Sequence, residues 1–340
     1  MVAGIVGKTR LLVWKDNLLS KALILGVDGQ DGSYLAEFLL QKKFQIIGWI
    51  PQNISVDLRN INHILPEIVL IEGDLSDQES LLTCLEEHQP DEIFNLASPS
   101  SPVESWHSPI QVADIAAMGV ARLLEALRMV APAAHFYQAS SSELFGNPVE
   151  VPQSESTPFN PRNPYGIAKL FAHWMTVNYR QKHGLFAVSG ILFNHESPRR
   201  GMQFVTRKIT RRVAEIKLGL AEDLPLGNLE ARRDWGYAGD YIKAIWLMLQ
   251  QDTPDDFVIG SGETHSVREF CEIAFDFVDL DYHDYVKQDQ RYYRPVESAQ
   301  LVSNPSKAAK LLDWKPEVTF EELVKMMVDS DLRLLQIMKK

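Results

Sequence analysis

From Lys21 the chain settles into a rhythm of short apolar runs separated by amphipathic stretches. KALILG, FQIIGWI, IVLIEGDL, DEIFNLA and HFYQAS are each ended by glycine or polar residues and read as buried strands. Between them SYLAEFLLQKK, SLLTCLEEHQ and VADIAAMGVARLLEALRMV carry apolar residues at helical spacing. Strands alternating with helices predict an α/β fold, a doubly wound parallel (Rossmann) sheet covered on both faces. Right-handed crossovers put all the strand ends on one edge, where ligands collect in such sheets.

The pattern continues through YGIAKLFAHWMTVNYRQKHG, a strongly periodic helix, and FAVSGILF, a further strand. After it the rhythm breaks. NHESPRRGMQFVTRKITRRVAEIKLG is basic and helical, LGNLEARRDWGYAGDYIKAIWLMLQ runs from a charged turn into a helix, and DDFVIG reads as one more strand. The rest reads as loops and helices with proline stops. The expected organisation is an unassigned extension over 1–20 and a dinucleotide-binding domain over 21–192. A smaller, interleaved C-terminal substrate-binding subdomain covers most of 193–340, with a strand near 256–260 returning to the sheet.

Composition narrows the partners. A net charge of -11 over 340 residues disfavours nucleic acid and anionic membranes, leaving only local basic pockets at Arg199-Arg200 and Arg207-Lys208. Cys84 and Cys271 are the two cysteines, too few for a disulfide framework or a four-thiol zinc site. No apolar run approaches the roughly 20 residues that span a bilayer. Lys8, Arg10, Lys15 and Asp16 interrupt what a signal peptide would keep apolar, so the cytoplasm is the expected compartment.

The first strand runs into Gly26-Val27-Asp28-Gly29-Gln30-Asp31-Gly32. Glycines at this spacing let backbone approach a pyrophosphate, whose charge is favoured by the N–H groups at a helix start. Alone, such a turn also serves mere packing. Asp74 and Leu75 end the third strand near the expected adenine edge, and Leu96 and Ala97 follow the fourth beside the cofactor path. The second strand ends in GWIPQN, with neither the acid that binds a ribose hydroxyl nor the arginine that binds a 2′-phosphate. NAD and NADP both stay open, and Arg59 is as easily a loop charge as a phosphate contact.

Tyr165 and Lys169 sit one turn apart on a helix that Pro164 helps to start. A lysine so placed can stabilise phenolate and lower the tyrosine's pKa toward neutrality. Such pairs are common on helices. This one opens the helix after the strand that ends in ASSSEL, on the ligand-collecting edge.

Gly26, Gly29, Gly32, Ser141, Tyr165 and Lys169 together resemble the extended short-chain dehydrogenase/reductase family. DGQDGSYLAEFLL, QPDEIFNLAS, DIAAMGVARLLEALR, FYQASSSELFG, FNHESPRRGMQFVTRKI, RRDWGYAGDYIKAIWLMLQ and SGETHSVREF resemble, in order, the GDP-mannose 4,6-dehydratases within it. The resemblance implies a lyase with a tightly bound nicotinamide cofactor that turns GDP-mannose into GDP-4-keto-6-deoxymannose. It implies Ser141 on the sugar's 4-hydroxyl, Tyr165 as the base on that hydroxyl, Lys169 on the nicotinamide ribose, and Glu143 as the acid-base that drives water loss. It further implies substrate contacts at Ser142, Asn194, Lys208, Arg233, Arg294 and Glu297, cofactor contacts at His195 and Arg200, and a homodimer. No metal is expected, since no partner histidine stands at ligand spacing from His195.

The chain departs from the family where Pro51 and Gln52 replace two arginines that bind the NADP phosphate, in a segment that also joins dimers into tetramers. Asp28 replaces a threonine in the glycine turn, Pro99 replaces a glutamine, and Ser298 with Ala299 replaces valine and aspartate. Two other readings stand beside the dehydratase. One is a nucleotide-sugar 4-reductase or epimerase, which generally lacks an acid at Glu143; the other is an idle scaffold that keeps the fold.

Overall fold

The computed structural model describes residues 19–52, 56–293 and 300–339. Nearly all of the extension, together with Arg294, Glu297, Ser298 and Ala299, lies outside the described residues.

Along the chain run β1 (Lys21–Leu25), α1 (Gln30–Gln41), β2 (Gln45–Pro51), β3 (Val69–Gly73), α2 (Gln78–His88) and β4 (Glu92–Asn95). Next come α3 (Pro109–Ala113), a π turn (Asp114–Met118), α4 (Gly119–Val130), β5 (His135–Ser141), α5 (Pro164–His183) and β6 (Ala187–Leu192). The C-terminal region contains β7 (Asn194–Glu196), α6 (Val205–Lys217), β8 (Leu224–Leu226), β9 (Arg232–Arg233), β10 (Trp235–Tyr237) and α7 (Ala238–Leu249). It continues with β11 (Phe257–Ile259), β12 (His265–Ser266), α8 (Val267–Asp276), α9 (Tyr282–Tyr285), β13 (Val286–Gln288), α10 (Ser306–Leu312) and α11 (Phe320–Met338).

Seven strands form one sheet in the order β11-β6-β5-β4-β1-β2-β3, and every pairing within it is parallel. The chain reverses direction across the sheet between β1 and β4, the switch point at which doubly wound sheets open a ligand crevice. Strands as apolar as β1 follow from burial on both faces. On one face Ala22, Ile24, Leu35, Leu39, Ile245 and Met248 pack together; on the other Leu23, Leu25, Leu81, Leu123, Leu127 and Ala172 do so. Each of the leucine, isoleucine and methionine side chains contributes about 1.5–3 kcal/mol on burial. A further core joins α6, α8 and α11 through Ile209, Phe270 and Met327.

The stretch expected to be one long helix is an α–π–α succession. The wide turn packs beside α5, where Val112, Ala116 and Ala117 surround Tyr165 and Ala168. Single π turns of this kind recur at functional sites.

Candidate functional site

The parallel sheet gathers the ends of β1, β4, β5 and β6 along one edge. Gly26 turns the chain there with φ +82°, and a Cβ on it would stand 3.1 Å from the Ala97 backbone that follows β4. A Cβ on Gly32 would lie 2.1 Å from the Gly26 carbonyl, so α1 can begin this close to the turn only with glycine at that position. Gly29 is the N-cap of α1 and has no side-chain cap, which leaves first-turn N–H groups to an outside anion. This cradle fits a dinucleotide's pyrophosphate. Asp74 is exposed and accepts from the backbone and hydroxyl of Ser76, at 2.8 and 2.7 Å, while Leu75 is buried against Gly119.

A polar strut ties this turn to the chain after β6. His195 approaches Asp31 at 2.8 Å through Nε2 and the Phe193 carbonyl at 2.7 Å through Nδ1. The Gln30 amide donates to the His195 carbonyl at 3.1 Å, and Ser197 donates to Gln30 at 2.8 Å. Burial alone would raise the Asp31 pKa, but the charge and hydrogen bond of His195, with Gln30 and Arg200, bring it below the usual value. Burial likewise opposes the charge on His195, yet Asp31 carries its pKa above normal. Each group thus favours the charged form of the other, so the contact is an Asp31–His195 ion pair when the imidazole is protonated. Arg200 sits 3.1 Å from Glu196 and 3.6 Å from the Phe204 ring centroid, and its charge reaches Asp31, His195 and Tyr165.

At the end of β5, Ser140 is buried and bonds His173 at 3.1 Å. Ser141 caps a single 3-10 turn formed by Ser142, Glu143 and Leu144, accepting from the Glu143 N–H at 3.2 Å. Ser142 is buried and Glu143 half-buried. Asn163 is the N-cap of α5, accepting from the Gly166 N–H at 2.8 Å, and its amide donates to Glu143 at 2.7 Å. That one side chain aligns the carboxylate with the helix that carries Tyr165. Its signal was present in the sequence as an N-cap residue before Pro164, but nothing linear marked its second bond.

Burial pushes Tyr165 up to about 12; the Ser141 hydroxyl lowers it and the Glu143 charge raises it. Lys169 is buried, donates to the Ala139 carbonyl at 2.9 Å, and falls to about 8 through burial, with Asp31 opposing. Its Nζ lies 5.7 Å from the Tyr165 ring centroid. Ser141, by its hydrogen bond, and Arg200, by its charge, are groups that draw Tyr165 down.

The other expected substrate contacts lie on the C-terminal elements. Asn194 is on β7, which pairs with β10. Lys208 donates to the Pro225 carbonyl at 2.6 Å and lies 3.4 Å from the Tyr292 ring centroid. Arg233 donates to the Arg232 carbonyl at 2.7 Å. The supposed basic pockets are largely internal pairs: Arg207 bonds the buried Asp331 at 2.7 Å, and Arg199 bonds Glu37 at 2.5 Å. Among the described residues no group of three or more His, Cys, Asp or Glu could hold a metal, and no helix is long and apolar enough to cross a membrane.

Residues 23–327 match the sequence profile of a family described as GDP-mannose 4,6 dehydratase. The chain is 51% identical to GDP-mannose 4,6 dehydratase 1 of Arabidopsis thaliana, covering 92% of this chain and 90% of that protein. It is 46% identical to the GDP-mannose 4,6 dehydratase of Homo sapiens, covering 93% and 92%. Among solved structures, a UDP-glucose 4-epimerase with UDP-glucose from Thermotoga maritima superposes with a TM-score of 0.84 at 24% identity, covering 93% of this chain and 99% of that one. A dTDP-glucose 4,6-dehydratase from Bacillus anthracis in complex with NAD does so with 0.81 at 22%, covering 93% and 98%.

Proposed function

The chain belongs to the GDP-mannose 4,6-dehydratase family, and we propose that it converts GDP-D-mannose to GDP-4-keto-6-deoxy-D-mannose with loss of one water. The observation that carries this reading is the carboxylate of Glu143, held by Asn163 beside Ser141 and the Tyr165 helix. A simple 4-reductase or epimerase has no use for an acid there. When bound, a nicotinamide cofactor supplies a hydride acceptor for C4 of the sugar and returns that hydride at C6. Its pyrophosphate would rest on the Gly26–Gly32 turn, and Lys169, His195 and Arg200 would hold the rest of it.

This chain's own residues move the protons. Ser141 orients the 4-hydroxyl and lowers the pKa of Tyr165, which takes the proton from that oxygen as C4 becomes a ketone. The ketone acidifies the hydrogen on C5. Glu143 removes it as a proton, and the electron pair left on C5 forms the C5–C6 double bond as the 6-hydroxyl departs. Glu143 delivers its proton to that leaving oxygen, so water is lost and the carboxylate is restored. C5 then takes up one proton as C6 is reduced, which balances the proton that Tyr165 took from the 4-hydroxyl and returns Tyr165 to its starting state. General acid-base groups of this kind contribute on the order of 10² to 10⁴ in rate.

Purified protein incubated with GDP-mannose, without added reductant, tests the reading by mass spectrometry. Loss of one water is the expected result; unchanged GDP-mannose with either nicotinamide cofactor present overturns it. Glu143→Gln should accumulate reduced cofactor without product, and unimpaired product formation removes Glu143 from its role.

We read the molecule as a homodimer as well. Ile167, Phe171 and Trp174 lie on one face of α5 and are exposed, as are Ile110 and Met118 nearby in sequence on the preceding helical run. A solution mass of one chain at micromolar concentration overturns this. Cys84 and Cys271 are buried free thiols, which suits the reducing cytoplasm as the place of action.

A further inference from the structure

We propose that the corner where β2 ends selects NAD over NADP, with Asp28 as the discriminating charge and Asp57 as the group that occupies Arg59. The inference rests on the nicotinamide reading above and goes beyond it to name the cofactor.

The glycine turn and the chain after β2 are built into one unit. The Gly26 N–H donates to the Trp49 carbonyl at 2.9 Å, hanging the turn on β2. The Asn60 amide donates to the Asp28 carbonyl at 3.0 Å, which holds the short turn Leu58–Asn60 against it. In doubly wound dinucleotide sites this corner faces the adenosine ribose, where an acid accepts from the 2′-hydroxyl and an arginine carries a 2′-phosphate.

The charges present are one-sided. Residues 51–62, PQNISVDLRNIN, hold a single cation, Arg59, and a single acid, Asp57. Arg59 places Nη2 at 2.5 Å and Nε at 2.6 Å from Asp57 Oδ2, so its charge is already balanced within the segment. His63, on the following turn, is taken up by Glu37 at 2.7 Å. That leaves Asp28, half-buried in the turn itself, as the uncompensated charge. Its carboxyl is raised by burial and further by Asp57, against the pull of its own backbone, so the field of Asp57 reaches into the turn. A 2′-phosphate brings close to two more negative charges into this corner. A ribose diol instead brings two donors to a carboxylate.

The test is chemical and independent of turnover. Nucleotide extracted from the denatured holoenzyme is identified by mass spectrometry, and NADH and NADPH are titrated onto cofactor-depleted protein by fluorescence. NAD(H) should predominate, with NADH bound at least about tenfold more tightly, the effect of a single like-charge contact in a partly screened site. The Asp28→Asn, Gln52→Arg double variant should move that ratio toward NADPH by a similar factor, with Asp57→Asn as a second variant if the first does not fold. Predominant or equal NADP(H), or a ratio that neither variant moves, overturns the selectivity alone. Absence of either nucleotide, with no NADH binding, overturns the nicotinamide reading itself.

Discussion

The ends of β5 and β2 are two corners of the same sheet edge, and they are built in opposite ways. At β5 the working groups are buried or half-buried and fixed by several partners each: Ser141 by the Glu143 N–H, Glu143 by Asn163, Lys169 by the Ala139 carbonyl. At β2 the charges of Asp57 and Arg59 stand exposed and bond chiefly each other. Proton transfer demands positions held within hydrogen-bond reach, and burial supplies them. Discrimination between two cofactors that differ by a phosphate needs only the sign of a field, which exposed side chains can provide and sequence can change freely. The β5 corner accordingly carries the groups that the family resemblance implies, whereas the β2 corner is one of the places where the chain departs from it.

Removing the base should separate the corners most sharply. Tyr165→Phe is expected to lower turnover by on the order of 10² to 10⁴ while calorimetry still finds GDP-mannose and cofactor binding; retained turnover would strip the β5 corner of its assigned chemistry.

The strut between the glycine turn and β7 comes next. Asp31→Asn should destabilise the protein by about 2 kcal/mol, the worth of a charge-assisted hydrogen bond. His195 has a raised pKa, so its contribution is whole below its unfolded value of 6.5 and disappears as pH rises through the higher folded value. Asp31 has a lowered pKa, so its contribution is whole above 3.8 and disappears as pH falls through the lower folded value. The gap in melting temperature between the parent and Asp31→Asn should thus be widest between about pH 4 and 6.5 and narrow on both sides. A gap that does not vary with pH would show that no ion pair is formed.

Asn163→Ala removes an N-cap and the donor to Glu143 together. About 1 kcal/mol of stability should go with the cap, and turnover should fall further than binding does, since Glu143 loses its alignment. Equal loss in both would make Asn163 a cap and nothing more. Ser141→Ala removes the hydroxyl that lowers Tyr165 and should shift the alkaline rise of the oxidation step to higher pH; Glu143→Gln removes a charge that raises Tyr165 and should shift it lower. A profile unmoved by both changes would exclude Tyr165 as the titrating group. The smallest effect on stability belongs to the β2 corner: Arg59→Ala should cost less than about 1 kcal/mol, as exposed pairs do.

Much of this was legible along the chain. The strands announced themselves as apolar runs because a parallel sheet buries both faces, and the glycine turn because a chain that reverses within a few residues leaves little room for side chains. The π turn was not legible, because one widened turn leaves helical periodicity almost intact. Nor was the fate of the arginines: Arg199 and Arg207 read as basic pockets, and only the distant Glu37 and Asp331 made them internal pairs. The hydrogen-bond partner of Lys169 was hidden for a similar reason. Helical spacing correctly puts Lys169 on the face of Tyr165, but the ammonium turns to the Ala139 carbonyl, which belongs to another strand.

The sequence by itself determined the α/β architecture, the edge on which ligands gather, and which residue types stand at the ends of its strands, because periodicity and turn chemistry are local properties. Only the tertiary structure decided which of those residues act together. Asn163 reaches Glu143, His195 reaches Asp31 and Asn60 reaches Asp28 across separate elements, and a hydrogen bond or a field depends on distance in space, which no spacing along the chain records.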